Sequence, residues 1–173
     1  MVDEAYFEFS QTSVVNELSQ RSNWVILRTF SKAFRLAAHR VGYAIAHPEL
    51  ITALEKVRLP YNLSSFTQAA AFLAVTHRHQ LLSTVSLALA ERARLIQALS
   101  QHSEFQVWES AANFVYLRLK NIDASEKLAA ICQALKNQGT LIRHTGNGLR
   151  ISIGTPEENQ RTIERFKKVA IAP

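Results

Sequence analysis

The sequence predicts an α/β fold in two parts: residues 1–100 as an incomplete portion of a larger sheet-and-helix domain, and residues 101–173 as a small α+β subdomain. Three observations predict it. An apolar, β-prone run, Trp24-Val25-Ile26-Leu27, leads into the loop Thr29-Phe30-Ser31-Lys32-Ala33-Phe34. A long block of helical periodicity fills the middle of the chain. The last third then reads β-β-α-β-β-α, the rhythm of a mostly antiparallel sheet with its helices.

The elements follow in order. Val2 to Phe9 begins as the end of a strand and turns polar after Tyr6. Thr12 to Arg21 has helical spacing, with Val14, Val15 and Leu18 apolar. Trp24 to Arg28 reads as a buried strand, and Val41 to Ala46 as a second, closed by His47-Pro48. Helix 48–58 has Pro in its first turn and Leu50, Ile51, Leu54 and Val57 on one face. Pro60-Tyr61-Asn62 breaks it. Ser65-x-x-Gln68 reads as a capping box opening an Ala-rich helix to about His77. A long helix is expected from Gln80 to Gln101, since Leu82, Val85, Leu89, Ala93, Ile96 and Leu99 recur at steps of three and four. Beyond it, Phe105 to Trp108 and Asn113 to Leu119 read as strands. Asp123-x-x-Glu126 caps a helix to Asn137, ended by Gly139. Thr140 to Arg143 and Leu149 to Ile153 are short strands around a Gly-rich turn. Thr155-Pro156-x-Glu158 caps the final helix, to about Lys168. The first part offers about three strands, too few for a complete doubly wound sheet.

Composition narrows the class. The chain has 173 residues, 47% apolar and 20% charged, which is the profile of a globular protein with one core and a small second subdomain. Its net charge is +6, but the basic residues are spread along the chain and form no nucleic-acid stripe. Anionic small molecules account for the arginines better. No apolar run spans a bilayer, and Met1-Val2-Asp3-Glu4 has no leader pattern. One cysteine, Cys132, rules out an intrachain disulfide and a multi-thiolate zinc site. A cytoplasmic setting, with no nucleic-acid or membrane partner, is the expectation. Cys132 reads as core, and His77-Arg78-His79 as solvated rather than metal-binding.

The chemistry concentrates around Lys32. It lies just beyond a buried strand, between two phenylalanines, with hydroxyls at Thr29 and Ser31 and a guanidinium eight residues on at Arg40. An amine so placed can condense with an aldehyde, while hydroxyls and a guanidinium hold a phosphate. That combination suits pyridoxal 5'-phosphate. Arg150 stands mid-strand between apolar neighbours, where an arginine is rarely needed for solubility. An aspartate ending a strand, as at Asp3, is by itself more often a turn or cap residue.

These residues also carry a resemblance. Thr29-x-Ser31-Lys32, with Arg40 and Gly42 after it, resembles the lysine motif of fold-type I aminotransferases. Asp3-Glu4-Ala5-Tyr6 resembles the D-x-A-Y motif of the same family. Asn113-Phe114 and Gly148-Leu149-Arg150-Ile151-Ser152-Ile153-Gly154 resemble its C-terminal motifs. Their order and spacing are most similar to the histidinol-phosphate aminotransferase branch. The resemblance covers essentially the whole chain but only the C-terminal half of a usual family member.

That resemblance implies the C-terminal part of a fold-type I transferase: part of the large domain in residues 1–100 and the small subdomain in 101–173. It implies transfer of an amino group between histidinol phosphate, or a similar amino acid, and 2-oxoglutarate in histidine biosynthesis. Lys32 would form the Schiff base and move the proton. Asp3 would pair with the pyridine nitrogen and Tyr6 with the phenolate oxygen. Thr29, Ser31 and Arg40 would hold the cofactor phosphate. Arg150 would clamp the substrate carboxylate. Arg143 would serve the same pocket or the substrate phosphate, and Asn113 would have a structural role beside it. The family forms homodimers and builds its cofactor pocket from both halves, so a separate N-terminal half is an expected partner, with little or no turnover by this chain alone. A non-catalytic fragment and a threonine-phosphate decarboxylase-like enzyme are the alternatives. Two positions depart from the family pattern: Ala38, where a glycine is usual and a positive φ would be strained, and His39, where the family is apolar.

Overall fold

The computed structural model describes residues 1–120 and 125–170. The chain forms two compact units, Met1–Val85 and Ser86–Pro173. The sequence places this division near residue 100. The structure places it earlier because Leu95 and Leu99, both buried, belong to the core of the second unit.

In the first unit, β1 (Val2–Asp3) lies parallel to β2 (Val25–Thr29), with Val2 opposite Ile26 and Asp3 opposite Leu27. Strand β3 (Gly42–Ala46) runs antiparallel on the other side, with Thr29 opposite Gly42. Ile26 is fully buried at the centre of this three-stranded sheet. The short helix α1 (Phe7–Ser10) follows β1. Residues 12–21 do not form the expected helix; only a 3₁₀ turn, Val15–Ser19, is made. The cause is tertiary. The Glu4 carboxylate accepts from the Ser13 hydroxyl and the Val14 amide, and so fixes the chain in a loop.

Helix α2 (Pro48–Val57) opens with Pro as expected, and the His47 ring accepts from the Glu49 amide. Helix α3 (Ser65–Thr76) is capped by Ser64, whose hydroxyl accepts from the Thr67 amide, and not by Ser65. The expected long helix is two helices, α4 (Arg78–Leu82) and α5 (Val85–Leu99). The interruption is held by the Ser83 hydroxyl, which donates to Gln80 O at 2.7 Å, and by Thr84, which accepts from Arg35 at 2.9 Å. Phe30, Phe34, Val41 and Ala74 form the buried cluster that anchors the lysine loop.

The second unit contains β4 (Phe105–Val107), β5 (Phe114–Leu119), α6 (Ser125–Asn137), β6 (Arg143–Thr145), β7 (Gly148–Ser152) and α7 (Pro156–Ala170). The sheet is antiparallel throughout, in the order β4-β5-β7-β6. Val115 and Leu117 of β5 and Leu149 and Ile151 of β7 alternate into one core with Leu95, Leu99 and Phe166. Strand β6 starts at Arg143 rather than Thr140. The capping box of α7 is made in both directions: the Thr155 amide donates to Glu158 at 2.8 Å, and the Glu158 amide to Thr155 Oγ1. The Asp123 cap falls outside the described residues. Cys132 is half-buried against this core, and burial pushes its thiol pKa up. Among the described residues, no helix is long and apolar enough to cross a membrane.

Candidate functional site

The lysine loop is positioned by its flanking aromatics. Phe30 and Phe34 are buried, with ring centroids 5.0 Å apart, and they pin the segment to the first unit's core. Lys32, between them, is half-buried, as the apolar flanks predict. Backbone bonds from the Arg35 amide to Lys32 O and from the Leu36 amide to Phe30 O close the loop. The loop needs a left-handed turn at Arg35, with φ 61°.

Six of the residues singled out in the sequence lie in this loop and at the strand ends beside it. The Lys32 ammonium stands over the Tyr6 ring, 5.4 Å from its centroid. Thr29, the last residue of β2, donates its hydroxyl to Val41 O and accepts from the Ser31 amide at 3.1 Å. Thr29, Ser31 and Arg40 line an open cleft of about 420 Å³ with Val41, Gly42 and Tyr43. Asp3 ends β1, next in the sheet to β2; its Oδ1 accepts from the Ala5 amide at 2.9 Å, the turn-forming bond of an aspartate at a strand end.

Gly42 is required by close packing. A Cβ at that position would meet Arg28 O at 2.6 Å. Ala38 has no positive φ; the left-handed residue near it is Arg40. Ala37–His39 form a 3₁₀ turn, and Arg40 follows it in the left-handed region, with φ 53°. Its guanidinium donates to Ala37 O at 2.8 Å, so the side chain is braced against its own turn. That bond uses one of the five N–H donors of a guanidinium. His39 is exposed. Two hydroxyls and a guanidinium around one cleft, three residues or fewer from an amine on the Ser31 side, make a donor set that fits a phosphate group.

The second unit holds the other three candidates. Arg150, on β7, stacks its guanidinium over the Phe114 ring at 3.9 Å. Arg143, on β6, lies directly opposite Arg150 in the register and is exposed. Asn113 is half-buried, and its carbonyl accepts from the Ile153 amide, extending the β5–β7 ladder by one bond. Among the described residues, no group of three or more His, Cys, Asp or Glu side chains is gathered as for a metal.

The profile of the family described as aminotransferase class I and II matches residues 1–166. The chain belongs to that family. Histidinol-phosphate aminotransferase of Trichodesmium erythraeum (strain IMS101) is 59% identical over an alignment covering 98% of this chain and 47% of the relative. The crystal structure of the histidinol-phosphate aminotransferase from Clostridium acetobutylicum superposes with a TM-score of 0.82 at 28% identity, over 97% of this chain and 53% of that one. The enzyme from Sinorhizobium meliloti, solved in complex with pyridoxal-5'-phosphate, gives a TM-score of 0.82 at 26% identity, over 97% and 47%. The chain spans about half the length of the curated relatives it matches.

One feature of this aminotransferase chain escaped sequence reading. Glu4, between Asp3 and Tyr6, is buried, and its carboxylate accepts from Arg28 Nε and Nη2, the Ser13 hydroxyl and the Val14 amide. Burial pushes its pKa up, but the Val14 amide, the Arg28 guanidinium and the Ser13 hydroxyl outweigh that and hold it below the ordinary carboxylate value. Arg28 also stacks on the Phe7 ring at 3.5 Å. The signal was available: an arginine is rarely buried unless it is paired.

Proposed function

We propose that this chain carries the lysine-bearing part of a pyridoxal-phosphate-dependent aminotransferase that moves an amino group between histidinol phosphate and 2-oxoglutarate. The observation that carries the reading is the Thr29–Ser31–Arg40 cleft beside the loop that presents Lys32. The names of relatives at high identity support the amino donor. We further propose that residues outside these 173 complete the pocket, that the complete enzyme is a homodimer, and that it works in the cytoplasm.

In this reading Ser31 donates its hydroxyl to the phosphate, Thr29 turns its own there from Val41 O, and Arg40 neutralises the charge with its fork. Asp3 would pair with the pyridine nitrogen and Tyr6 with the phenolate oxygen. When bound, the cofactor supplies an electron sink for the electrons left when substrate Cα loses its proton. Lys32 would hold the cofactor through its amine and would serve as the general base for that Cα proton. Arg150 orients the carboxylate of an amino-acid substrate with two parallel N–H bonds, and Arg143 adds a second cation beside it.

Borohydride reduction of the chain mixed with pyridoxal phosphate tests this, with the adduct mapped by mass spectrometry. The adduct should fall on Lys32, vanish in Lys32→Ala, and need a higher cofactor concentration in Arg40→Ala. An adduct spread evenly over the exposed lysines would overturn the assignment. Turnover of histidinol phosphate should appear only when a polypeptide matching the remaining half of the relatives is added.

A further inference from the structure

Trp108, Tyr116, Arg150 and Arg143 make one row across the second unit's sheet. Tyr116 is opposite Arg150, and Arg150 is opposite Arg143. The Trp108 amide donates to Tyr116 O, and the two rings lie 5.6 Å apart. Directly opposed residues of antiparallel strands share a face. This is the face away from the core, because Val115, Leu117, Leu149 and Ile151 alternate to the other side.

The row therefore sets two arginines side by side, and like charges directly opposite push their strands apart. None of the four strands contains an aspartate or a glutamate. The two arginines are held unequally. Arg150 is on β7, paired on both sides, and is stacked on Phe114. Arg143 is on β6, an edge strand of three residues, all exposed, with only three register pairs to β7.

Tyr116 is placed to hold that edge against the repulsion. Its hydroxyl reaches the β6–β7 turn, donating toward Gly146 O at 2.6 Å and Thr145 O at 3.1 Å, and it accepts from Arg118 Nε at 3.0 Å. Its ring covers Gly148 so closely that a Cβ there would fall 2.5 Å from Tyr116 Cζ. We infer that Tyr116 is a positioning residue: its hydroxyl ties down the turn after β6 and so keeps Arg143 abreast of Arg150, where the two guanidiniums can share one anionic ligand group.

The inference rests on the reading of Arg143 and Arg150 as substrate-binding residues. Its test is kept apart from the Lys32 adduct, which reads only residues of the first unit. The full chain, labelled with ¹⁵N, is titrated with inorganic phosphate while the guanidinium Nε–H signals of Arg143 and Arg150 are followed. Phosphate should move both signals along one binding curve. Tyr116→Phe, which removes only the hydroxyl, should weaken that binding about fivefold, the scale of one lost hydrogen bond. The same change in an Arg143→Ala background should have no effect, because Tyr116 acts through Arg143. A purely structural role for Tyr116 would weaken binding equally in both backgrounds, and that result overturns the inference. So does an unchanged affinity in Tyr116→Phe, or phosphate that leaves the Arg143 signal in place. A Lys32 adduct that forms normally alongside any of these would leave the aminotransferase reading standing and remove only the role of Tyr116.

Discussion

Arg28 donates from both Nε and Nη2 to one oxygen of Glu4, at 3.0 and 2.8 Å, and so ties the strand ending at Asp3 to the strand ending at Thr29. Both side chains are nearly excluded from solvent, at 12% and 6% exposure. Breaking one side of such a pair leaves a buried charge alone. Glu4→Ala should therefore destabilise the first unit by about 3 kcal/mol, measured by chemical denaturation. Replacing both partners by apolar residues of similar size should cost less than either single change.

The same pair makes stability depend on pH. The folded Glu4 carboxyl lies below its ordinary value of 4.5, and so does Glu91, held down first by Arg94 and then by Asn159. A carboxyl depressed in the folded state binds fewer protons there than in the unfolded chain. Its stabilisation is complete above the ordinary value and is lost as pH falls from 4.5 through the folded pKa. Thermal unfolding followed as pH is lowered should show Tm falling only below that value. Glu4→Gln should lower Tm at neutral pH and flatten the acid dependence of the first unit.

Gly42→Ala should cost about 2 kcal/mol, because the added methyl meets backbone rather than a movable side chain. The same change should lower affinity for pyridoxal phosphate, since Gly42 lines the cleft with Thr29, Ser31 and Arg40. A fluorescence titration with the cofactor would show it. An unaltered affinity would argue that the cleft is not the phosphate site.

Asn159 is the corresponding weak point of the second unit. It is 2% exposed, donates to Glu91 and to Gly154 O, and accepts from the Gly154 amide. Asn159→Leu should leave the buried Glu91 carboxylate short of a donor and the Gly154 amide without its acceptor, at a cost of about 2 kcal/mol. Thr155→Ala, which loses only the exposed cap, should cost about 1 kcal/mol. Differential scanning calorimetry of the two variants would rank them.

Much of this was legible from local signals. The strands at 25–29 and 42–46 announce themselves by apolar runs ended by turn residues, and α2 and α7 by Pro in the first turn. The Tyr6, Thr29, Ser31, Lys32 and Arg40 positions are legible as a motif, because they are close in sequence. The misreadings share one cause. Residues 12–21 carry helical spacing, but a carboxylate ten residues away in sequence takes the Val14 amide. The periodicity from Gln80 to Gln101 runs on through a break that the side chains of Ser83 and Thr84 hold open. The cap expected at Ser65 is one residue earlier, where Ser64 is extended and its hydroxyl accepts from the Thr67 amide.

By itself the sequence determined the family and most of the strands and helices, because each is written in the type and spacing of near neighbours. Tertiary structure alone decided that Glu4 would bind Arg28, that the left-handed residue would be Arg40 rather than Ala38, and that Tyr116 would reach across to the turn beside Arg143. Those outcomes depend on which polar groups the finished fold brings within about 3 Å of one another, and neighbours in sequence do not decide that.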